Sequence, residues 1–150
     1  MNLKELKARF QSVANTNASV ETFVFDDLSA INTNRQKKYS VLLLKTPNAV
    51  RTRRGSTGNK TQQYRRYQIT LYYLKPWTVE LKKTMTLDMM YDECIREYES
   101  YLNEFLALGT NVYFLDPAVE SNMILGHHQH VDQLVGLSDT FDLMVYDGNC

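Results

Sequence analysis

The chain has 150 residues, of which 43% are hydrophobic and 23% are charged, and its formal net charge is zero. This composition is typical of a folded domain and excludes a disordered chain. No apolar run approaches the roughly 20 residues that a membrane-spanning helix needs, so no transmembrane segment is predicted.

The N-terminal residues and the cysteines favour an intracellular protein. The residues after Met1 lack the apolar stretch of a signal peptide. The two cysteines, Cys94 and Cys150, form neither a disulfide framework nor a zinc-binding spacing. A reducing compartment is therefore the plain interpretation.

The first part of the chain predicts one helix and two strands. Asn2 and Glu5 have the spacing of a capping box, and apolar residues recur at helical intervals from Leu3 to Val13. Residues 20–25 alternate as a short strand, and the apolar run 39–44 predicts a second one.

A long basic segment follows. Residues 46–62 contain glycines, hydroxyls and cations with almost nothing to bury, which predicts a long loop. Residues 64–74 are rich in aromatic and β-branched side chains and predict a long strand that ends at Lys75-Pro76-Trp77. The flanking strands then form an antiparallel pair, and the segment forms an extended basic hairpin arm at its tip.

The second half predicts a long helix and further strands. Apolar residues mark one face of residues 86–108, and Gly109 is a natural C-terminal stop. Strands are predicted at 111–115 and 140–146, and residues 119–125 offer another. The expected fold is a single α+β domain over residues 1–150, with a mostly antiparallel sheet packed by the N-terminal helix and the long helix.

The charges are segregated along the chain although they cancel. Residues 28–79 contain eleven basic residues and no acid, whereas residues 80–150 contain thirteen acids and three basic residues, a balance of −10. Like charges at this density repel unless something negative compensates them. The arm is therefore a solvated hairpin, a nucleic-acid contact, or a contact with the acidic half of a neighbouring copy.

Two sets of residues are candidates for such a contact. In a contact with a neighbouring copy or a partner, we expect a basic set of side chains to be opposed by an acidic set. The basic set is Arg51, Arg53, Arg54, Lys60, Arg65 and Arg66, and the acidic set is Asp88, Asp92, Glu93, Glu97 and Glu99. Head-to-tail copies joined in this way could close into a ring. The alternative is a nucleic-acid-binding module, with the arm on phosphates and Tyr64, Tyr67 and Tyr72 stacking on bases.

The sequence offers no strong pattern for catalysis. His127, His128 and His130 occupy neighbouring positions whose side chains point apart, so a polar turn explains them better than a metal site, for which Asp132 alone is weak support. The run 55–61 lacks the spacing of a phosphate loop. The acids of the long helix resemble a solvated face. We predict no enzyme activity, no cofactor and no metal.

Four features in chain order carry a resemblance to a known family. They are the helix 3–13 running into 20–25 and Asp26-Asp27-Leu28, the strand 67–74, the run 85–88 with the long helix, and the closing stretch 131–145 with a hydrophobic-Gly turn and a final strand. The chain resembles the small neck and tail-completion proteins of tailed phages, which are similar to tail terminators.

The resemblance implies a structural role in a virion that is assembled in the host cytoplasm. Such proteins form rings at the head-to-tail junction, where the genome passes through the lumen. Implied partners are sister subunits, neighbouring portal, neck or tail proteins, and packaged DNA. The basic arm at residues 51–60 departs from the family pattern, so DNA, a partner protein and a sister subunit all stay open as its contact.

Overall fold

A computed structural model of the chain describes residues 2–25, 40–46, 50–57, 60–107, 112–114, 121–127 and 133–146. Its helices are α1 (Leu3–Thr16), α2 (Val79–Thr84) and α3 (Leu87–Ala107). Its strands are β1 (Thr22–Phe25), β2 (Val41–Leu44), β3 (Val50–Thr57), β4 (Lys60–Trp77), β5 (Val112–Phe114), β6 (Ser121–His127) and β7 (Gln133–Tyr146). None of these helices is both long and apolar enough to cross a membrane.

The strands form one sheet around two long central members. β4 and β7 pair antiparallel from Tyr64 opposite Tyr146 to Trp77 opposite Gln133. β2 and β3 lie one after the other along the free side of β4, and β5 and β6 lie in the same way along β7. β1 extends the sheet beyond β2 and is parallel to it. The predicted α+β fold with a mostly antiparallel sheet is confirmed.

One face of the sheet carries the main hydrophobic core. Alternate residues of β4, including Tyr67, Ile69 and Leu71, point at α1 and α3 and are buried there. Phe10 of α1 and Phe105 of α3 stack with ring centroids 4.1 Å apart and planes 7° apart. Each such side chain contributes about 1.5–3 kcal/mol on burial, so the two helices are held mainly by this core.

α1 begins and ends as its sequence predicts. Oδ1 of Asn2 accepts from the Glu5 N–H at 2.9 Å, and the Glu5 carboxylate accepts from the Asn2 N–H at 2.7 Å, which completes the capping box. The predicted helix is confirmed and is longer by one turn, ending at Thr16. The Asn17 N–H then closes the last turn on the Val13 carbonyl.

The position of β2 in the sheet explains why its sequence is a continuous apolar run. All four of its residues are buried, and Leu42 and Leu44 belong to the core on the helical side. Leu43 lies opposite Tyr72 on the other face and is also fully buried. A strand that is covered on both faces has no solvent-facing positions, so it shows no alternation.

Two predictions about the basic segment were wrong. Residues 50–57 and 60–62 are strand and not loop, because β3 pairs with β4 from Val50 opposite Tyr67 to Thr57 opposite Lys60. β4 also continues through Pro76. Proline fits there because β2 pairs with β4 only up to Leu74, so the missing N–H falls beyond that ladder.

Smaller differences concern the second half. The long helix is confirmed at Leu87–Ala107, but the short helix α2 before it was not predicted. The strands near 112 and 121 are present, and the last strand begins at Gln133, earlier than predicted. Gly136 therefore lies inside β7 and not in a turn. The predicted helix stop at Gly109 lies outside the described residues.

Gly136 marks a close approach of the two central strands. A Cβ atom at this position would lie 1.8 Å from the Tyr73 carbonyl oxygen and 2.9 Å from the Leu74 Cα. Both neighbours are backbone atoms of β4 and cannot rotate away. The position therefore requires glycine.

Candidate functional site: a basic hairpin and an acidic helix

β3 and the start of β4 form a hairpin that extends past the other described strands. The last described pair between β4 and β7 is Tyr64 with Tyr146. Four more pairs, ending at Thr57 with Lys60, join β3 to β4 alone. At about 3.3 Å per residue this part projects roughly 13 Å beyond the pairing with β7. We call residues 50–66 the basic arm.

The register brings the basic positions of the arm together. Arg51 lies directly opposite Arg66, and Arg53 lies two residues further along β3. Residues two apart on a strand occupy the same face, so these three positions share one face of the ribbon. Like charges directly opposite each other destabilise the pairing of two strands, so anionic groups near this face would stabilise it.

Asp142 of β7 supplies one such anionic group at the base of the arm. The Arg66 Nε lies 3.0 Å from Oδ2 of Asp142, and a terminal guanidinium nitrogen contacts the same oxygen. Arg66 is still 44% exposed and Asp142 21% exposed. The pair therefore joins the arm to the body at one arginine.

The acidic residues of α3 fall into two groups. Asp88, Asp92 and Glu99 are exposed. Glu93 and Glu97 are half-buried and both bind Lys75 of β4, with N–O distances of 2.9 and 3.1 Å. The second pair is thus engaged within the chain, and only the first group presents free surface for another molecule among the five predicted acids.

The ion pairs at Lys75 shift the pKa values of Lys75 and of Glu93. Burial alone would lower the pKa of Lys75, but the hydrogen bonds that it donates to Glu93 and Glu97 outweigh burial and raise the pKa. The hydrogen bond from Lys75 lowers the pKa of Glu93. Lys75 and Glu93 are therefore held charged around neutral pH, and α3 is fastened to β4 by charge as well as by apolar contacts.

A polar chain continues from this cluster under α3. The Tyr73 hydroxyl lies 2.9 Å from the Ser19 carbonyl oxygen and also contacts the Glu97 carboxylate. Ser40 donates to the same Ser19 carbonyl and accepts from the Glu21 N–H. Burial, and next the Glu97 carboxylate, raises the pKa of Tyr73 well above its ordinary value. The chain links β1, β2, β4 and α3.

A second buried group lies deeper in the core. Tyr98 donates to Oδ2 of Asp139 at 2.6 Å, and burial raises the pKa of both groups. Burial also raises the pKa of the nearby Cys94 thiol to about 12. A neutral thiol is a poor nucleophile, so Cys94 behaves as a core residue.

The metal and phosphate patterns gain no support from the geometry. Among the described residues no three His, Cys, Asp or Glu side chains are grouped as metal ligands. His127 ends β6, while His128, His130 and Asp132 lie outside the described residues. Gly55 and Lys60 are strand residues of the arm, and Gly58 lies outside the described residues.

The structure brings some candidate residues together and separates others. The six basic candidates lie on the two strands of one hairpin. The start of α3, with Asp88 and Asp92, follows α2 and packs beside Trp77 through Leu87. Trp77 is the far end of β4 from the arm. At 3.3 Å per residue Trp77 lies roughly 35 Å along β4 from Arg66 and roughly 55 Å from Lys60, so these two groups cannot neutralise each other within one molecule.

Sequence reasoning missed Lys75, Asp142 and the Tyr98–Asp139 pair. Asp139 had a visible signal, because it occupies the inward position between Leu137 and Phe141 in an alternating strand. Lys75 and Asp142 had none, since their partners are 18 and 76 residues away along the chain. No protein-family model matches the chain, and no curated protein matches it.

Proposed function

We propose that this protein is a non-enzymatic structural component of a tailed-phage virion, which forms a ring at the head-to-tail junction. In this proposal the chain is a neck, connector or tail-completion subunit. Its work is to join molecules through surfaces of opposite charge. Sister subunits, portal, neck or tail proteins and passing DNA are the partners.

The observation that carries the proposal is the separation of charge along β4. The basic arm lies at one end of this strand and the exposed acids at the start of α3 lie at the other, so that roughly 35 Å (from Arg66) to 55 Å (from Lys60) of strand separates them. A monomer gains nothing from such a separation. Between molecules that meet end to end, the same charges attract and fix the orientation of the contact.

The construction of the arm supports an intermolecular role. A two-stranded ribbon is marginally stable in water, and its outer four residue pairs are joined to no other described strand. Its basic positions also repel each other across the ladder. Both costs are removed when the arm lies against an anionic surface of a neighbour.

The chemistry of the described ionisable groups supports a structural protein. Lys75 forms ion pairs with both Glu93 and Glu97, and the buried tyrosines and Cys94 are held in their neutral forms. Such groups fasten elements together. The resemblance to neck and tail-completion proteins adds the head-to-tail junction as the place of assembly.

The basic ribbon also favours a second candidate function, a nucleic-acid contact. A two-stranded β-ribbon fits the major groove of DNA, and Arg51, Arg53 and Arg66 occupy positions on one of its faces. In that case the arm would bind phosphates, and affinity would fall steeply with salt because counterions are released.

The solution mass of the purified protein tests the two candidates. It should be measured by light scattering at low and moderate salt, alone and with a short DNA duplex. An assembly of several chains without DNA supports the ring. A single chain that binds DNA with a steep salt dependence replaces the ring with the second candidate, and a single chain under all conditions, with or without a co-expressed portal protein, rejects the proposal.

A further inference from the structure

Five strands form a level row across the body of the molecule, away from the arm. The strand order in this row is β1, β2, β4, β7, β6. Each of the four residues of β1 belongs to a line of paired residues that crosses all five strands. One line joins Val24, Leu43, Tyr72, Ser138 and Asn122. Among the described residues β1 pairs only with β2, and β6 pairs only with β7. β1 and β6 are therefore the two ends of the row.

Neither of these two end strands contains the charges or proline that usually protect a sheet edge. Edge strands normally carry charges or proline, which prevent pairing with another chain. β1 is Thr-Phe-Val-Phe and β6 is Ser-Asn-Met-Ile-Leu-Gly-His, with no proline and no Asp, Glu, Lys or Arg. β3, by contrast, contains three arginines. β5, Val-Tyr-Phe, is also uncharged but has three residues and pairs with another part of β7, so β1 and β6 are the two unprotected edges that lie at the same level on opposite sides.

The directions of these strands suit a contact between copies. β1 is parallel to β2 and therefore antiparallel to β4, whereas β6 is parallel to β4 because both are antiparallel to β7. β1 and β6 consequently run in opposite directions. If a second copy continues the sheet with its helices on the same side, its β6 meets β1 as an antiparallel neighbour, the more stable kind of pairing.

The outer edge of β1 presents backbone groups that pair with no other described strand. The Thr22 N–H bonds to the Ser40 carbonyl of the β2 side at 3.0 Å. Backbone groups of successive strand residues point to alternate sides, so the N–H and C=O groups of Phe23 and Phe25 point away from β2. The side chains of both phenylalanines pack against the core, which fixes the strand in this orientation.

We propose that β1 of one copy pairs antiparallel with β6 of the next copy, so that one sheet runs through neighbouring subunits. This inference rests on the proposed ring and names its lateral contact. The contact is heterologous, since two different edges meet, and a heterologous contact that closes gives a ring. All arms then project from one rim, where they meet the adjoining component, and the acidic ends of α3 lie at the other rim.

Disulfide trapping tests the contact directly. Within one chain β1 and β6 are four strand spacings apart, about 19 Å, whereas a disulfide needs Cα atoms within about 7 Å. A bond between cysteines in these strands can therefore form only between copies. Val24, Asn122 and Ile124 occupy positions on the same face, so the pairs Val24→Cys with Asn122→Cys and Val24→Cys with Ile124→Cys sample two registers.

The cysteine pairs should be made with Cys150→Ser, leaving the buried Cys94 in place. After mild oxidation we expect a ladder of covalent oligomers that disappears with reductant. Val24→Cys with Val79→Cys is the matched control, because Val79 is 57% exposed on α2 and lies outside the sheet. That control should give no ladder at the same protein concentration.

A charge on the edge provides an independent test. Val24→Lys should raise the concentration needed for half-assembly roughly tenfold or more, with its melting temperature close to that of the unmodified protein. Val79→Lys makes the same chemical change elsewhere and should assemble normally. If Val24→Lys fails to fold, the cysteine pairs decide the question.

The outcomes separate this inference from the proposed function. Normal assembly of Val24→Lys together with no ladder from either cysteine pair overturns the β1–β6 contact and leaves the ring standing. A ladder that depends on both cysteines establishes the contact. Unmodified protein that stays a single chain at every salt concentration overturns both.

Discussion

Tyr98 of α3 donates a 2.6 Å hydrogen bond to Oδ2 of Asp139 in β7, and both side chains are buried in the main core. Within the described part of the molecule the other carboxylate oxygen, Oδ1, has no hydrogen-bond partner. Burial raises the pKa of Asp139 above its ordinary value of 3.8, although the bond from Tyr98 acts in the opposite direction. The described core therefore contains an acid, Asp139, that is costly to ionise.

This acid should make stability depend on pH in an unusual direction. Because the folded state binds the Asp139 proton more tightly than the unfolded state, ionisation of Asp139 lowers the free energy of unfolding as the pH rises above 3.8. Asp139→Asn cannot ionise. We expect its stability relative to the unmodified protein to improve from pH 4 to pH 7, measured by urea unfolding at several pH values.

Tyr98→Phe is the companion to that measurement. It removes the hydrogen bond that lowers the pKa of Asp139, so the pH-dependent loss of stability should become larger. Equal pH profiles for the unmodified protein, Asp139→Asn and Tyr98→Phe would show that Asp139 does not titrate in this way.

Lys75 should be the cation on which the attachment of α3 depends most. Lys75→Met leaves the half-buried Glu93 and Glu97 without their partner, and we expect a loss of about 2 kcal/mol and a fall of roughly 6 °C in melting temperature. Lys83→Met, at an exposed position of α2, is the control and should change little. The loss should shrink at low pH, where Glu93 is protonated and its lowered pKa no longer contributes.

Gly136 should tolerate no side chain. Gly136→Ala places a methyl group against the backbone of Tyr73 and Leu74 in the middle of the sheet, and β4 and β7 would have to separate. We expect a loss of about 3 kcal/mol or more, or failure to fold, as seen by circular dichroism and urea unfolding. Ser138→Ala, two residues along the same strand, should be nearly neutral; a stable Gly136→Ala would mean that the strands are further apart here.

Charge reversal in the arm should remove the end-to-end contact of the proposed assembly. Arg53→Glu with Arg54→Glu turns attraction for an acidic surface into repulsion, which we expect to cost about 2 kcal/mol and weaken that association roughly 30-fold. The unmodified protein should show the same association decline as salt is raised. Sedimentation velocity at two salt concentrations measures both effects.

The control for this reversal changes two adjacent lysines of α2. Lys82→Glu with Lys83→Glu alters the net charge by the same amount and leaves the arm intact. It should retain salt-sensitive association. Equal losses in the two double variants would mean that net charge alone, and not the arm, governs association.

Local patterns in the sequence predicted the elements whose stability is local. The capping box of α1 and the apolar face of α3 depend on residues three or four positions apart, and both helices are present as expected. β3 escaped prediction because its run of Arg, Thr, Gly and Ser has no apolar alternation. It becomes a strand through its backbone pairing with β4, which no local pattern records.

The candidate surfaces were predictable only in outline. The segregation of charge is visible in the sequence, but the intramolecular use of Glu93 and Glu97 requires Lys75, which sequence position groups with the cations of the arm. Arg66 likewise pairs with an acid of the last strand. Which charges stay available to another molecule is decided by contacts across the sheet.

β4 gives the molecule a mechanical property. It runs unbroken from the arm at Lys60 to Trp77, and its later residues Tyr73 and Lys75 lie bonded beneath α3. A force on the base of the arm is therefore carried along one continuous strand, which β7 holds over 14 of its residues from Tyr64 to Trp77. This paired part of β4 acts as a stiff member that transmits a displacement of the arm to the opposite end of the subunit.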